Sequence, residues 1–266
     1  MITAMISRKG GVGKTTTTVN LAAALAEQGQ KVLLVDLDSQ ASASLSLGVK
    51  PQDLSPSSAD LLLKSARAGD VLRPTTIENL HLITASVDLL DADAQLGVFR
   101  GRHLRLKAPL AGVIDFYDQI LLDCPAGLSV VPSNAIAAAD AFIAPTTPHF
   151  LSMSGLRNLI DAAERIAWDA GTRIRLMGLL LTMVDYRTKL TRRSVDQIRE
   201  EYGRQVFAIE VRTNTRLAEA PEMGMSIFQY DPRAKGAEAY RLLADEYLLR
   251  VAEVGRRGGG GGRGPG

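Results

Sequence analysis

Residues 7–18 read SRKGGVGKTTTT and follow directly on the apolar run ITAMIS (2–7). Gly10, Gly11 and Gly13 let the backbone turn tightly and aim its N–H groups at one point, which suits phosphate oxygens. The threonine run and the alanine-rich NLAAALAEQ after it predict a helix over 15–28. Its positive dipole end would face the same anion. Lys14 is placed to reach the β- and γ-phosphates and the Thr15 hydroxyl to hold Mg²⁺. Strand, glycine turn, Gly-Lys-Thr and helix in that order make a phosphate-binding loop. The general pattern wants glycine at position 8, where this chain has Arg8, and a second lysine, Lys9, stands just inside the loop.

Working outward, KVLLVDLD (31–38), QILLDC (119–124), AFIAP (141–145) and IRLMGLLLT (174–182) read as further buried strands. Helices are predicted over 132–139, 152–170, 188–203 and 235–254, with another near 88–108. Near-continuous apolar strands separated by helices predict an α/β fold, a mainly parallel twisted sheet with helices on both faces. Ligands in such sheets sit beyond the C-terminal strand ends, so the loops after residues 7, 36 and 123 are the places for chemistry. Asp36 and Asp38 end one strand and Asp123 ends another. Phosphoryl transfer needs carboxylates there to organise Mg²⁺ and to orient water.

The chain has 266 residues, 46% of them apolar, enough for one sizeable core and too apolar for a disordered chain. We expect a single domain over 1–254 and a flexible Gly/Arg-rich tail over 255–266. Of 31 Lys+Arg against 29 Asp+Glu, three arginines lie in that tail, which has no acid. The body therefore carries 28 against 29, and a nucleic-acid reading has to rest on local clustering. No run approaches 18 apolar residues and no signal-peptide layout opens the chain, so a soluble cytoplasmic protein is expected. The single cysteine, Cys124, argues against an Fe–S carrier and reads as a small buried apolar side chain. The three histidines are too scattered for a metal site, and Trp168 reads as core.

The variant K-G-G-V-G-K-T resembles the deviant Walker A loop of the ParA/MinD ATPases. Residues 177–254, with the R-x-x-x-R-L-x-E-A-P-x-x-G stretch from Arg212 to Gly224, resemble the small ParA/Soj-type partition ATPases, and the resemblance covers roughly 1–254. It implies an ATPase using ATP and Mg²⁺. Nucleotide would be held by Lys9, Gly10, Gly11, Val12, Gly13, Lys14, Thr15 and Thr16, with Asn214 near the base. Thr15, Asp36 and Asp123 would serve the metal. Catalysis would fall to Lys14, to Asp38 acting on water, and to Lys9 reaching across an ATP-dependent sandwich homodimer. Two departures stand out: Ser39 and Ala41 where the family writes proline and glycine, and Arg212-Thr213 before Asn214 where it writes Pro-Arg.

Four cations and no acid in RTKLTRR (187–193) suit sequence-independent phosphate contact. The resemblance points to Arg187 and Arg216 as contacts to non-specific DNA, and the charge cluster adds Lys189, Arg192 and Arg193. It further implies a ParB-like or cargo-adaptor partner, nucleoid association, and a cargo such as a chromosome or plasmid locus, a carboxysome or a chemoreceptor cluster. No helix-turn-helix extension precedes the first strand, so operator binding is not expected. The alternative is a MinD-like membrane cycler, which needs a basic amphipathic C-terminal helix. Here Asp245, Glu246 and Glu253 interrupt that helix, and Leu242, Leu243, Leu249 and Val254 read as packing onto the core. No stable membrane association is expected. A biosynthetic enzyme on the same phosphate-loop core is a third possibility.

Overall fold

The computed structural model describes residues 1–97, 101–148 and 153–258. Eight strands, β1 (Ile2–Met5), β2 (Val32–Asp36), β3 (Leu72–Pro74), β4 (Leu80–Ile83), β5 (Gln119–Asp123), β6 (Ala141–Thr146), β7 (Arg175–Val184) and β8 (Val211–Arg212), form one sheet in the order β3-β4-β2-β5-β1-β6-β7-β8. All pairings are parallel except that of β3 with β4. The mainly parallel α/β reading is borne out.

The helices are α1 (Lys14–Glu27), α2 (Ser42–Ser46), α3 (Ser58–Leu63), α4 (Ala68–Val71), α5 (Ala92–Leu96), α6 (Lys107–Ala111), α7 (Val130–Ala138), α8 (Met153–Asp169), α9 (Lys189–Tyr202), α10 (Thr215–Glu219), α11 (Ile227–Tyr230) and α12 (Lys235–Gly258). Strand side chains alternate between two cores. Leu33, Val35, Ile120 and Leu122 face the layer that includes α3 and α5–α9. Leu34, Leu121 and Ile143 face α1, α2, α11 and α12. Apolar runs without polar alternation are thus explained by a sheet covered on both faces. Each fully buried leucine contributes about 1.5–3 kcal/mol relative to an exposed one.

Three expectations are corrected. The helix near 88–108 is broken: a 3₁₀ turn at Val87–Asp91 leads into α5, and a second 3₁₀ turn (Arg102–Leu104) precedes α6. Gly101, at φ 72°, starts that second turn in a conformation no helix contains. Trp168 is 73% exposed. The inward line of α8 is Leu156, Leu159, Ala163 and Ala167, and the next residue is rotated about 100° from it. On α12 the buried line is Ala237, Tyr240, Leu243, Ala244 and Tyr247, while Leu242 and Leu249 face solvent. That helix runs on to Gly258, and the remainder of the tail lies outside the described residues. Among these, no helix is long and apolar enough to cross a membrane.

Candidate nucleotide site

The loop between β1 and α1 is built from its glycines. Gly11 and Gly13 have φ of 71° and 78°, a region costly for residues with a Cβ. Gly13 is the N-cap of α1, and no side chain caps that helix or places an acid in its first turn. Its leading N–H groups are left for an anion. The loop is held from outside by Thr182 Oγ1, which donates to Val12 O (2.9 Å). The neighbouring loop is held by Gly127 N, which donates to Ser7 O (3.0 Å). Lys14 is buried, and its Nζ donates to Ser7 Oγ (3.0 Å). Lys9 is exposed and makes no ion pair among the described residues.

Behind the loop, Asp123 is fully buried. Its Oδ2 accepts from Thr15 Oγ1 (2.8 Å) and its Oδ1 from Thr18 Oγ1 (2.7 Å). Asp36 faces it across β2 and β5 in register and is equally buried. Burial and then the Asp123 charge push the Asp36 carboxyl up. Burial pushes Asp123 up, against the Thr18 and Thr15 hydroxyls and the Lys14 charge, with the Asp38 charge adding to the rise. Two buried carboxylates opposed by one lysine make an acidic pocket, and within it Asp123 and the Thr15 hydroxyl are the oxygen donors that fit Mg²⁺. Burial likewise pushes the Cys124 thiol up, and the side chain is buried as expected.

The sequence-derived residues do not all play alike. Lys14, Thr15 and Asp123 converge. Asp36 spends both oxygens on the chain that follows it, accepting from Asp38 N, Ser44 N and Ser44 Oγ. Asn214 caps α10 by accepting from Arg216 N (2.9 Å). It lines a cavity of about 240 Å³ beside the loop with Gly13, Thr16, Met183, Leu217 and Tyr240. Thr18, Thr182 and Ser44 escaped the sequence reading. Only Thr18 had a signal there, lying one helical turn after Thr15 on the same face.

The basic residues stand at the same edge of the sheet, beyond the C-terminal ends of β7 and β8. Lys189, Arg192 and Arg193 are exposed on α9, and Arg192 Nε donates to Tyr186 O (3.2 Å). Arg187 is paired with Asp185. Arg216, on α10, pairs with Glu219 (2.9 Å) and Asp231 (3.6 Å).

An uncapped helix start after a glycine turn, a buried lysine and a buried strand-end aspartate bonded to the helix threonines define a P-loop nucleoside-triphosphatase. A family model described as an AAA domain matches residues 1–176. The sporulation initiation inhibitor protein Soj of Bacillus subtilis is 38% identical over 92% of this chain and 97% of its own. Among solved structures, cobyrinic acid a,c-diamide synthase from Mycobacterium smegmatis with bound ATP analog and magnesium is 33% identical, covers 96% of both chains and superposes with TM-score 0.79. The cell division ATPase MinD of Pyrococcus furiosus is 29% identical over 93% of this chain and 98% of its own, with TM-score 0.75. The chain belongs to the ParA/Soj-type partition ATPases and is an ATPase.

Proposed function

We propose that this positioning ATPase uses ATP as a timer: ATP and Mg²⁺ promote a sandwich homodimer, the dimer rests on non-specific nucleoid DNA, and hydrolysis releases it. Lys9 carries the reading. It is an exposed cation with no ion pair among the described residues, at the mouth of a loop whose own lysine is already buried, and it suits phosphate charge presented by a second copy. In each copy the α1 N-terminus and Lys14 hold the phosphates, with Val12 and Thr16 beside them. Thr15 and Asp123 hold Mg²⁺, which when bound neutralises charge developing on the phosphoryl oxygens. Asp38 accepts a hydrogen bond from the attacking water and orients it.

Turnover alone is slow in this reading, because the cation in trans and a partner's contacts are missing until assembly. A ParB-like or cargo-adaptor protein would supply the stimulus and select the cargo. Arg187, Lys189, Arg192, Arg193 and Arg216 would meet phosphates, and the acidic residues of α12 favour DNA over a membrane surface. The test is retention on duplex DNA with ATP, ADP or no nucleotide, for wild type and Arg216→Glu. Retention with ATP alone, weakened by salt and by the substitution, is expected. No retention in any state overturns the DNA reading. Vesicle binding with ATP in its place would select the membrane alternative.

A further inference from the structure

The turn that carries Asp38 is pinned at both ends to one carboxylate. Asp36 Oδ1 accepts from Asp38 N (3.1 Å), and Asp36 Oδ2 accepts from Ser44 N (2.9 Å) and Ser44 Oγ (2.7 Å). Inside the turn, Gln40 N donates to Asp38 Oδ1 (3.1 Å) and Ala41 N to Asp38 O (2.8 Å). Ala41 sits at φ 52°, so the segment is held in a conformation its sequence does not favour. Ser44 Oγ also accepts from Ala85 N (3.2 Å), beyond the end of β4.

Ser44 is fully buried, and its hydroxyl does not follow the usual course for a helical serine. Ser46, two residues on, turns back to bond Ser42 O four residues earlier (2.6 Å). Ser44 instead leaves its helix and donates to the Asp36 carboxylate. A buried carboxylate with three donors is fixed in orientation, and whatever it holds inherits that fixity. What it holds here is the main chain of Asp38.

We propose that Ser44 is a positioning residue for hydrolysis, acting through Asp36 to hold the Asp38 turn beside Asp123, whose main-chain carbonyl accepts from Leu37 N (2.9 Å). The proposal rests on the reading of Asp38 as the group that orients water. It assigns Asp36 to the turn rather than to the metal. Loss of the Ser44 hydroxyl leaves the phosphate-binding groups in place and loosens the aim of Asp38, and small misplacements of a positioning group are costly to rate.

The test is single-turnover hydrolysis and ATP affinity for Ser44→Ala, Ser58→Ala, Asp38→Asn and the Ser44→Ala/Asp38→Asn pair. Ser58 is the control, since its hydroxyl donates to the Asp36 main-chain carbonyl (2.6 Å) and not to the turn. Expected are a roughly tenfold slower turnover in Ser44→Ala with ATP affinity within about twofold of wild type, near-normal turnover in Ser58→Ala, and no further slowing when Ser44→Ala is added to Asp38→Asn. Equal losses in Ser44→Ala and Ser58→Ala overturn the proposal. So do a full additional loss in the pair, a change in affinity alone, or failure of Ser44→Ala to fold or hold ATP. Asp38→Asn turning over at the wild-type rate would instead remove the water-orienting reading, a separate failure.

Discussion

Ala41 stands at φ 52° where the ParA/Soj pattern has glycine. A left-handed alanine costs roughly 1–2 kcal/mol that glycine does not. Against that gain, Ala41→Gly loses about 0.8 kcal/mol of buried methyl and about 0.4–1 kcal/mol to the more flexible unfolded chain, so unfolding free energy should stay within about 1 kcal/mol of wild type. Urea titration reads this directly, and a loss of about 2 kcal/mol or more would mean the turn is not strained. The facing aspartates give a pH prediction. Burial first, then its neighbour's charge, lifts Asp36 to about 7, and burial lifts Asp123 as well. Folded protein therefore keeps protons that the unfolded chain has lost. That stability is fully present below the unfolded carboxylate range, near pH 4, and disappears as pH rises toward 7. Without nucleotide or Mg²⁺, Tm should fall from pH 5 to pH 8 and the slope should flatten in Asp36→Asn; parallel slopes would refute it. Lys14, Thr15 and Asp123 were legible because their types and spacing are local. The clamp of Asp36 on Ser44 was not, since it depends on a side chain leaving its helix.

At the scale of elements, Gly48, after α2, and Gly224, after the 3₁₀ turn Ala220–Met223, touch backbone to backbone. A Cβ on Gly224 would lie 2.8 Å from Gly48 Cα, and both residues have positive φ. Gly224→Ala should cost about 1–3 kcal/mol in urea unfolding, because neither backbone can swing aside as a side chain can; a loss under 0.5 kcal/mol would deny that the contact is tight. The long elements were legible to within a few residues, since their apolar periods are sustained. Missed were β3, β4, β8, α2, α3, α4, α10 and α11, elements of two to six residues, too short to show a period. The broken stretch around Gly101 was misread because its apolar residues keep helical spacing while glycine interrupts the chain. Trp168 and Leu249 were misplaced by a helix rotation of one residue.

Over the whole molecule, the sequence announced parallel strands and two helical layers. It could not announce the order β3-β4-β2-β5-β1-β6-β7-β8, because pairing joins segments far apart in the chain. Ligand linkage gives the prediction at this scale. Mg²⁺ and ATP at a hundred times Kd should add about 2.7 kcal/mol to folding stability, and Lys14→Ala should abolish the gain in a thermal melt. An undiminished shift in that variant would place nucleotide elsewhere. Arg187 and Arg216 bear on how DNA retention is to be read. Each already has a carboxylate partner, Asp185 for the first and Glu219 with Asp231 for the second. An arginine that leaves a carboxylate for a backbone phosphate releases a counterion from the duplex, while the abandoned carboxylate gathers one back. The net ion release per contact is then less than one, and the slope of log affinity against log salt should be shallower than the number of arginines engaged.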